Sequence, residues 1–352
     1  MKIVLFLFPC LSLLLGSCAS AGVTSAEEYF SLGMAYYDLG KFEDAEKWLN
    51  RAKMVDKTKI ASEYNLGRIA YDRKRYEDAV KHFERVLVRD PDNVLALKAA
   101  AYTRIRIGDI AAAEGLYDRV LKLIPESFDD GYNYAMVLYV MKKPEKTEEV
   151  LQKYDSVLET NNDALLLLAR AQNAQEKVEA LDTYSKWLVN NSDPKVRYEY
   201  AQILEKGEFY ARALEEYQMV LTSPPAKAGT SSTVPAGEVD PLSPAALRFT
   251  IARLLFIADG KSEKGADELS QAVSAGFADI PALEALLEDS RIEAARKDDI
   301  RRIIGEMRTA ETARKEQKKA TNGTDGDVEK QQDGGADEAQ KDGADAANKT
   351  DA

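Results

Sequence analysis

Side chains that hold metals or form covalent intermediates are scarce in this chain of 352 residues. It has two cysteines, Cys10 and Cys18, and one histidine, His82. No thiol follows residue 18, so the rest of the chain can form no disulfide and no cysteine-based zinc site. Ser-His-Asp or Cys-His catalysis would have to use His82, which no supporting motif accompanies. We expect His82 to be an exposed helix residue.

Other chemical signatures are missing as well. No glycine-rich phosphate-binding fingerprint occurs, and carboxylates are too abundant for any pair to stand out. Lysine and arginine number 48 against 60 aspartates and glutamates, for a formal net charge of −12. A nucleic-acid backbone needs a concentrated basic face. We therefore predict no catalytic residues, no metal, no cofactor and no nucleic-acid partner, and expect neutral or cationic partners.

The apolar run at the N-terminus is too short to span a bilayer comfortably. It reads MKIVLFLFPCLSLLLGSCAS, which is typical of a secretion signal. Leu15-Gly16-Ser17-Cys18 resembles the bacterial lipobox, which implies a signal peptide at 1–17, lipidation of Cys18 and a tether at 18–25. Cleavage after Ala19-Ser20-Ala21 is the alternative, and it would leave a soluble periplasmic protein. The resemblance implies a lipid-anchored envelope protein facing the periplasm, with the outer membrane favoured over the inner.

The most informative feature is an internal repeat with a period of 34 residues. Small and apolar residues recur at that spacing over three consecutive repeats: Gly33, Gly67 and Ala101; Ala45, Ala79 and Ala113; Leu49, Phe83 and Tyr117; Ala52, Val86 and Val120. Pro91 and Pro125 close the second and third repeats at the same offset. Within each repeat the apolar residues have helical spacing on two short runs joined by a turn, which predicts stacked helical hairpins.

This pattern resembles the tetratricopeptide repeat (TPR), with its Trp-x2-Leu-Gly-x2-Tyr, Ala-x3-Phe and Pro positions. The resemblance implies an all-α, right-handed solenoid of about six repeats in residues 26–223. The fourth repeat has Thr147 where the packing alanine is expected, and the fifth is shortened, so both are degenerate. The sixth regains the pattern with Tyr200, Ala213 and Pro225.

In TPR proteins the inner face is lined by fixed positions of each first helix, and the resemblance implies a partner-binding groove there. These positions hold aromatic residues and methionines: Phe30, Met34, Tyr37, Tyr64, Tyr71, Tyr102, Tyr132, Met136, Tyr139 and Tyr198. Asn65 and Asn133 lie beside two of them, at position 6 of their repeats, where an asparagine often bonds the ligand backbone in peptide-binding TPR domains. Aromatic residues there can instead pack between repeats, and this alternative stays open. The lysines and arginines that grip a C-terminal carboxylate in some TPR domains are absent, since Phe30, Met34, Leu95 and Ala99 occupy their places.

The composition changes after the sixth repeat. Residues 224–244 are rich in proline, glycine and serine and are predicted to be a linker. Residues 245–308 regain helical periodicity and are predicted to form a TPR-like hairpin and a helical cap. Residues 309–352 have almost no large apolar residues and are predicted to be a disordered tail.

Together these features predict a non-enzymatic, membrane-tethered scaffold that binds proteins or extended peptides in assembly of an envelope complex. The alternative is a lipoprotein that binds a small hydrophobic ligand, for example a transporter accessory, with the tyrosines and methionines as its wall. The oligomeric state is not predicted.

Overall fold

The chain folds as consecutive α-helices, and the described part of it contains no β-strand. The computed structural model describes residues 25–223, 240–258 and 262–324, with side chains to residue 317. The predicted signal peptide at 1–17, Cys18, residues 224–239 of the predicted linker and residues from 325 lie outside the described residues. Residues up to Asn191 form one compact unit, here the N-terminal unit, and residues from Ser192 form the C-terminal unit.

The N-terminal unit is a row of five helical hairpins in which consecutive helices contact each other. Its helices are α1 (Ala26–Asp38), α2 (Phe42–Ala52), α3 (Asp56–Asp72), α4 (Tyr76–Arg89), α5 (Val94–Arg106), α6 (Ile110–Leu123), α7 (Phe128–Val140), α8 (Pro144–Gln152), α9 (Asp155–Leu158), α10 (Asn162–Ala174) and α11 (Glu179–Asn190). Each repeat contributes one first and one second helix, which is the arrangement of an all-α repeat solenoid. The short α9 lies between the fourth and fifth hairpins.

The turn inside each hairpin uses the same backbone conformation at the same repeat position. A residue with positive φ ends each first helix: Gly40, Lys74, Gly108, Lys142 and Glu176 in the N-terminal unit, and Glu208 in the C-terminal unit. Left-handed backbone there lets the next residue's N–H bond back to the helix and turn the chain. The spacing is 34 residues up to Glu176 and shorter for the last step, because the fifth repeat is shortened.

Small residues set how closely the helices of a hairpin approach. A Cβ at Gly67 would lie 2.5 Å from a ring carbon of Phe83, so α3 and α4 can pack this closely only with glycine there. The alanines at the facing position, Ala45, Ala79 and Ala113, are fully buried. Thr147 takes that position in the fourth repeat, where it is also buried and its hydroxyl donates to the Lys143 carbonyl at 3.0 Å. The substitution is therefore tolerated, and the hairpin of α7 and α8 forms.

The C-terminal unit contains α12 (Pro194–Lys206), α13 (Tyr210–Thr222), α14 (Pro244–Ala258), α15 (Glu263–Ser274), α16 (Ile280–Glu288) and α17 (Ala294–Thr324). Its core includes Phe256, Leu269, Leu283 and Ile300, which come from four of these helices.

α17 continues to Thr324, beyond residue 309, where the disordered tail is predicted to start. This stretch is rich in alanine, glutamate, lysine and arginine, which favour helix even without burial. Lys315 also pairs with Glu311 one turn earlier, at 2.6 Å. The absence of large apolar residues therefore excluded a packed core but did not exclude a solvated helix.

Candidate functional site

Three of the predicted groove tyrosines meet around one cleft of the N-terminal unit. Tyr37 on α1, Tyr71 on α3 and Tyr102 on α5 line a cleft of about 210 Å³ together with Arg68 and Asp72. We call these five residues the tyrosine cleft. Phe83, Ala99 and Thr103 complete its wall. The three tyrosines come from three successive repeats, so the cleft is formed by the stacking of repeats.

Helical periodicity explains why these side chains share a face. Arg68 and Tyr71 are three residues apart on α3, so their side chains lie on one side of that helix. The rings of Tyr71 and Tyr102 pack with centroids 5.6 Å apart, and Tyr71 also contacts Tyr76 with centroids 5.2 Å apart. Tilted pairs at this distance are favourable aromatic contacts. The ring of Tyr71 is thereby held from two sides.

A polar network holds the other wall of the cleft. The Tyr37 hydroxyl donates to Asp72 Oδ2 at 2.7 Å, and Arg68 Nη2 donates to the Tyr37 oxygen at 3.1 Å. The Arg68 guanidinium also lies 4.7 Å from the centroid of the Tyr37 ring, and its Nη1 donates to Asn65 Oδ1 at 3.1 Å. Arg68 and Tyr37 are therefore fixed before any ligand arrives.

The hydroxyls of Tyr37 and Tyr71 remain protonated at neutral pH. Burial raises the pKa of Tyr37, and its hydrogen bond to Asp72 raises it further. Burial, followed by the neighbouring Tyr102, raises the pKa of Tyr71 to about 12. Tyr102 is 51% exposed and offers an accessible aromatic face. The cleft thus presents hydroxyl and guanidinium donors, one carboxylate and flat apolar surfaces.

Four of the predicted groove residues, Phe30, Met34, Tyr64 and Tyr132, pack against the core. Phe30 and Met34 are partly buried against the cluster that contains Leu49 and Leu66. Tyr64 contacts Phe83 with ring centroids 5.7 Å apart. Tyr132 stacks on Phe128 at 6.4 Å and lies against the core of the third and fourth repeats, and burial raises its pKa. The structure does not bring these residues into the tyrosine cleft.

The remaining predicted residues are divided between the two units. In the fourth repeat, Asn133 and Met136 are exposed and Tyr139 is partly buried. Tyr198 belongs to the C-terminal unit, where its ring packs edge-on against Tyr217 at 5.4 Å.

Asn65 differs from the expectation that it bonds a ligand backbone. Its side chain is buried, its Nδ2 donates to the Ala61 carbonyl at 2.8 Å, and its Oδ1 accepts from Arg68. Both ends of the amide are therefore engaged within the protein. The position-6 asparagine in this repeat orients Arg68.

His82 also differs from its expected exposed state. Its side chain is only 19% exposed, and its Nδ1 lies 2.6 Å from Oε2 of the buried Glu63. Lys53 Nζ and an Arg85 nitrogen lie 3.5 and 3.6 Å from the same carboxylate. Since His82 and Glu63 belong to the two helices of one hairpin, this cluster joins α3 to α4.

Two residues of the tyrosine cleft, Arg68 and Asp72, were absent from the predicted set. They occupy the ninth and thirteenth positions of the second repeat, which belong to the same inner-face register as the predicted tyrosines. The prediction selected mainly aromatic residues and therefore missed Arg68 and Asp72, although both occupy inner-face positions.

No group of three or more His, Cys, Asp or Glu side chains with metal-binding geometry occurs among the described residues. Within the same residues, no helix combines the length and hydrophobicity that a membrane span requires.

Comparison with known proteins connects this architecture to one repeat family. Two family models, both described as tetratricopeptide repeat, match residues 26–58 and residues 64–128. No curated protein sequence matches the chain.

Solved structures with similar chain traces include two that are described as TPR proteins, and MamA. A tetratricopeptide repeat protein from Parabacteroides merdae ATCC 43184 is 19% identical, with 75% of this chain and 98% of that chain covered and a TM-score of 0.47. YrrB, described as a TPR protein with an unusual peptide-binding site, is 17% identical over 49% of this chain and 89% of its own, with a TM-score of 0.45. MamA is 19% identical over 54% and 95%, with a TM-score of 0.43. At these values the three structures say nothing about the ligands of this chain.

The matched segments cover the three repeats that form the tyrosine cleft, and the hairpins continue beyond them with the same turn geometry. The chain therefore contains tetratricopeptide repeats at residues 26–58 and 64–128, within an all-α repeat solenoid.

Proposed function

We propose that this chain is a non-enzymatic scaffold that binds an extended segment of another protein in the tyrosine cleft. The observation that carries the proposal is the convergence of Tyr37, Tyr71 and Tyr102 from three successive repeats on one cleft. Tyrosine combines a rigid apolar ring with a hydrogen-bonding tip, and it is common at the residues that dominate binding energy in protein interfaces.

The polar groups of the cleft favour a peptide. A peptide backbone supplies a carbonyl and an N–H at nearly every residue. Arg68 and the Tyr102 hydroxyl can donate to such carbonyls, and Asp72 can accept from an N–H. Because Arg68 and Tyr37 already bond each other, little side-chain freedom is lost on binding.

The same features disfavour a small hydrophobic ligand. Such a ligand needs an apolar wall that removes most of its surface from water. The tyrosine cleft is open and carries a guanidinium and a carboxylate. Desolvating those groups without new partners would cost free energy. The scaffold function is therefore preferred over the hydrophobic-ligand function.

We further propose that the scaffold is tethered to a bacterial envelope membrane through lipidated Cys18 and faces the periplasm, with the outer membrane favoured. The support is the lipobox resemblance at Leu15-Gly16-Ser17-Cys18. Stable anchoring requires more than one acyl chain, which the lipoprotein modification supplies. A tethered scaffold of this kind would gather partners in assembly of an envelope complex.

The proposed function is tested with a double variant, Tyr71→Ala with Tyr102→Ala, in an affinity capture from envelope extracts. Proteins recovered by wild type and lost with the variant are purified, and their affinities are measured by calorimetry. Met54→Ala is the matched control, since Met54 lies in the same unit, is 81% exposed and does not line the cleft. A captured partner that binds wild type and both variants equally would contradict the proposal.

A further inference from the structure

A second cleft, of about 350 Å³, lies wholly within the C-terminal unit. Its walls come from α12, α13, α14 and the turn that precedes α17. We call it the C-terminal cleft and define it by Tyr198, Glu205, Tyr210, Arg253 and Arg291. It shares no residue with the tyrosine cleft.

Glu205 is the one carboxylate among the described residues that line this cleft, and both of its oxygens are already engaged. Arg253 Nη2 lies 2.6 Å from Oε1, and the Tyr217 hydroxyl donates to Oε2 at 3.1 Å. Burial strongly raises the pKa of Tyr217, so this phenol keeps its proton. Glu205 therefore has little capacity left to accept a hydrogen bond from a ligand.

Among the described residues, the two guanidinium groups of the cleft have donors that are less fully used. A guanidinium has five N–H groups, and the contact of Arg253 with Glu205 engages one edge of that fork. Arg291 is held by Asp289 through Nε at 3.0 Å and Nη2 at 2.7 Å. Its Nη1 lies 3.5 Å from the Tyr210 hydroxyl, which is long for a hydrogen bond. Asp289 thus fixes the guanidinium and leaves Nη1 directed at the cleft.

The remaining lining completes an arrangement rich in donors. Lys206 adds a third cation, and Gln202 and Thr250 add neutral polar groups. Tyr198, Tyr210 and Ile257 supply aromatic and aliphatic surface. A ligand that fits must bring hydrogen-bond acceptors and negative charge on a flat or apolar body.

We infer that the C-terminal cleft is a second binding site and that it takes an oxyanion, a carboxylate or a phosphoryl group, attached to an aromatic or apolar body. The oxyanion is bound by Arg291 and Arg253, because planar guanidinium groups match both anions in geometry. The attached body lies against the rings of Tyr198 and Tyr210. The ion pair between Glu205 and Arg253 holds Arg253 in place, and the ligand does not displace it.

Three small probes test this site on the full chain by ligand-observed NMR titration at constant ionic strength. 3-Phenylpropionate carries a carboxylate, phenyl phosphate carries a phosphoryl group, and 3-phenyl-1-propanol is the neutral analogue. We expect at least one anion to bind roughly tenfold more tightly than the alcohol. The anion that binds more tightly shows whether the site prefers a carboxylate or a phosphoryl group. Anions that bind no better than the alcohol would overturn the inference.

Variants of the two arginines show whether the anion binds in the C-terminal cleft. Arg291→Gln should weaken the preferred anion roughly tenfold and leave the alcohol unchanged. Arg253→Lys keeps a cation beside Glu205 but loses the planar fork, so it should weaken the anion with little change in melting temperature. Arg301→Gln is the control, since Arg301 is an exposed arginine of the same unit paired with Asp298. Unchanged anion affinity in both Arg291→Gln and Arg253→Lys, or an equal loss in Arg301→Gln, would overturn the inference.

Discussion

Tyr71 and Tyr102 belong to successive repeats, and their rings pack with centroids 5.6 Å apart at an interplanar angle of 44°. This pair spans the boundary between the second and third repeats and forms part of the candidate binding cleft. Repeat proteins are stabilised mainly by contacts between neighbouring repeats. Binding in the cleft and stacking of the repeats therefore use some of the same side chains, and a bound segment would bridge several repeats.

Two glycines of the third repeat test the turn geometry that defines the repeats. Gly108 has a φ of +82°, whereas Gly115 lies within α6, where an added Cβ meets no other atom within 4 Å. Gly108→Ala should lower the free energy of unfolding by about 1 kcal/mol, because a Cβ is strained in left-handed backbone. Gly115→Ala should raise it by about 0.5–1 kcal/mol, because alanine favours helix.

Thermal and urea unfolding of both variants beside wild type will measure these changes. Opposite signs for the two substitutions are expected. A stabilised Gly108→Ala would show that this turn does not adopt the left-handed conformation in solution.

A second prediction separates core tyrosines from cleft tyrosines. Tyr64 is partly buried against Phe83, so Tyr64→Ala should destabilise the fold by about 1–3 kcal/mol. Tyr102 is 51% exposed, so Tyr102→Ala should change stability by less than about 1 kcal/mol. Thermal melts of the two single variants provide the comparison. Equal losses of melting temperature would mean that Tyr102 contributes as much to packing as Tyr64 does.

The third prediction concerns acid unfolding and the buried Glu148. Burial alone would raise the pKa of Glu148, but hydrogen bonds from Lys177, Gln175 and Gln172 outweigh it and lower the pKa below its ordinary 4.5. Lys177 Nζ lies 2.6 Å from Glu148 Oε2. A carboxyl whose pKa is lowered by folding stabilises the fold above its unfolded-state pKa. That contribution is lost as the pH falls through its folded-state pKa.

Glu148→Gln should therefore cost about 1–3 kcal/mol at pH 7, and the difference from wild type should shrink as the pH falls below the ordinary pKa of 4.5. Glu149→Gln is the matched control, because this neighbour is 70% exposed and pairs with Lys153 at 3.5 Å. Urea unfolding across this pH range measures both. A Glu148→Gln deficit that stays constant down to pH 3 would rule out a contribution from ionised Glu148.

The repeat spacing predicted the fold because each hairpin repeats the same local requirements. The residues at Gly33, Ala45 and Leu49 recur where helices must approach closely, and one turn position is left-handed throughout. The same register brought Tyr37, Tyr71 and Tyr102 together, since positions 9 and 12 of successive first helices face one way.

Other features depended on geometry that spacing does not encode. The repeat register does not predict that Phe30, Tyr64 and Tyr132 pack against the core, because the direction of each side chain depends on how its helix is rotated against its neighbours. The side chains of His82 and Glu63 join the two helices of a hairpin, and no sequence motif marks this contact. The C-terminal cleft unites Tyr198, Arg253 and Arg291, which are far apart in sequence and belong to no shared repeat position.

The fourth prediction concerns anchoring. Cys18→Ala removes the proposed acceptor of the lipid, so the protein should remain an unprocessed precursor or leave the membrane fraction. Radiolabelled palmitate and cell fractionation will measure both effects, with Cys10→Ala as the control. Wild-type protein that incorporates no label and fractionates as soluble would contradict the lipid anchor and favour cleavage after Ala21.

The binding role of the tyrosine cleft is tested most directly by site-specific photocrosslinking in cells. A photoreactive phenylalanine derivative replaces Tyr102, whose exposed ring borders the cleft, and separately replaces Met54, which is exposed outside it. The scaffold function predicts a discrete crosslink from position 102 to a segment of a partner protein, lost when Tyr71→Ala is added and absent from position 54. The same crosslinks from both positions, or none from position 102 while a purified partner still binds, would contradict it.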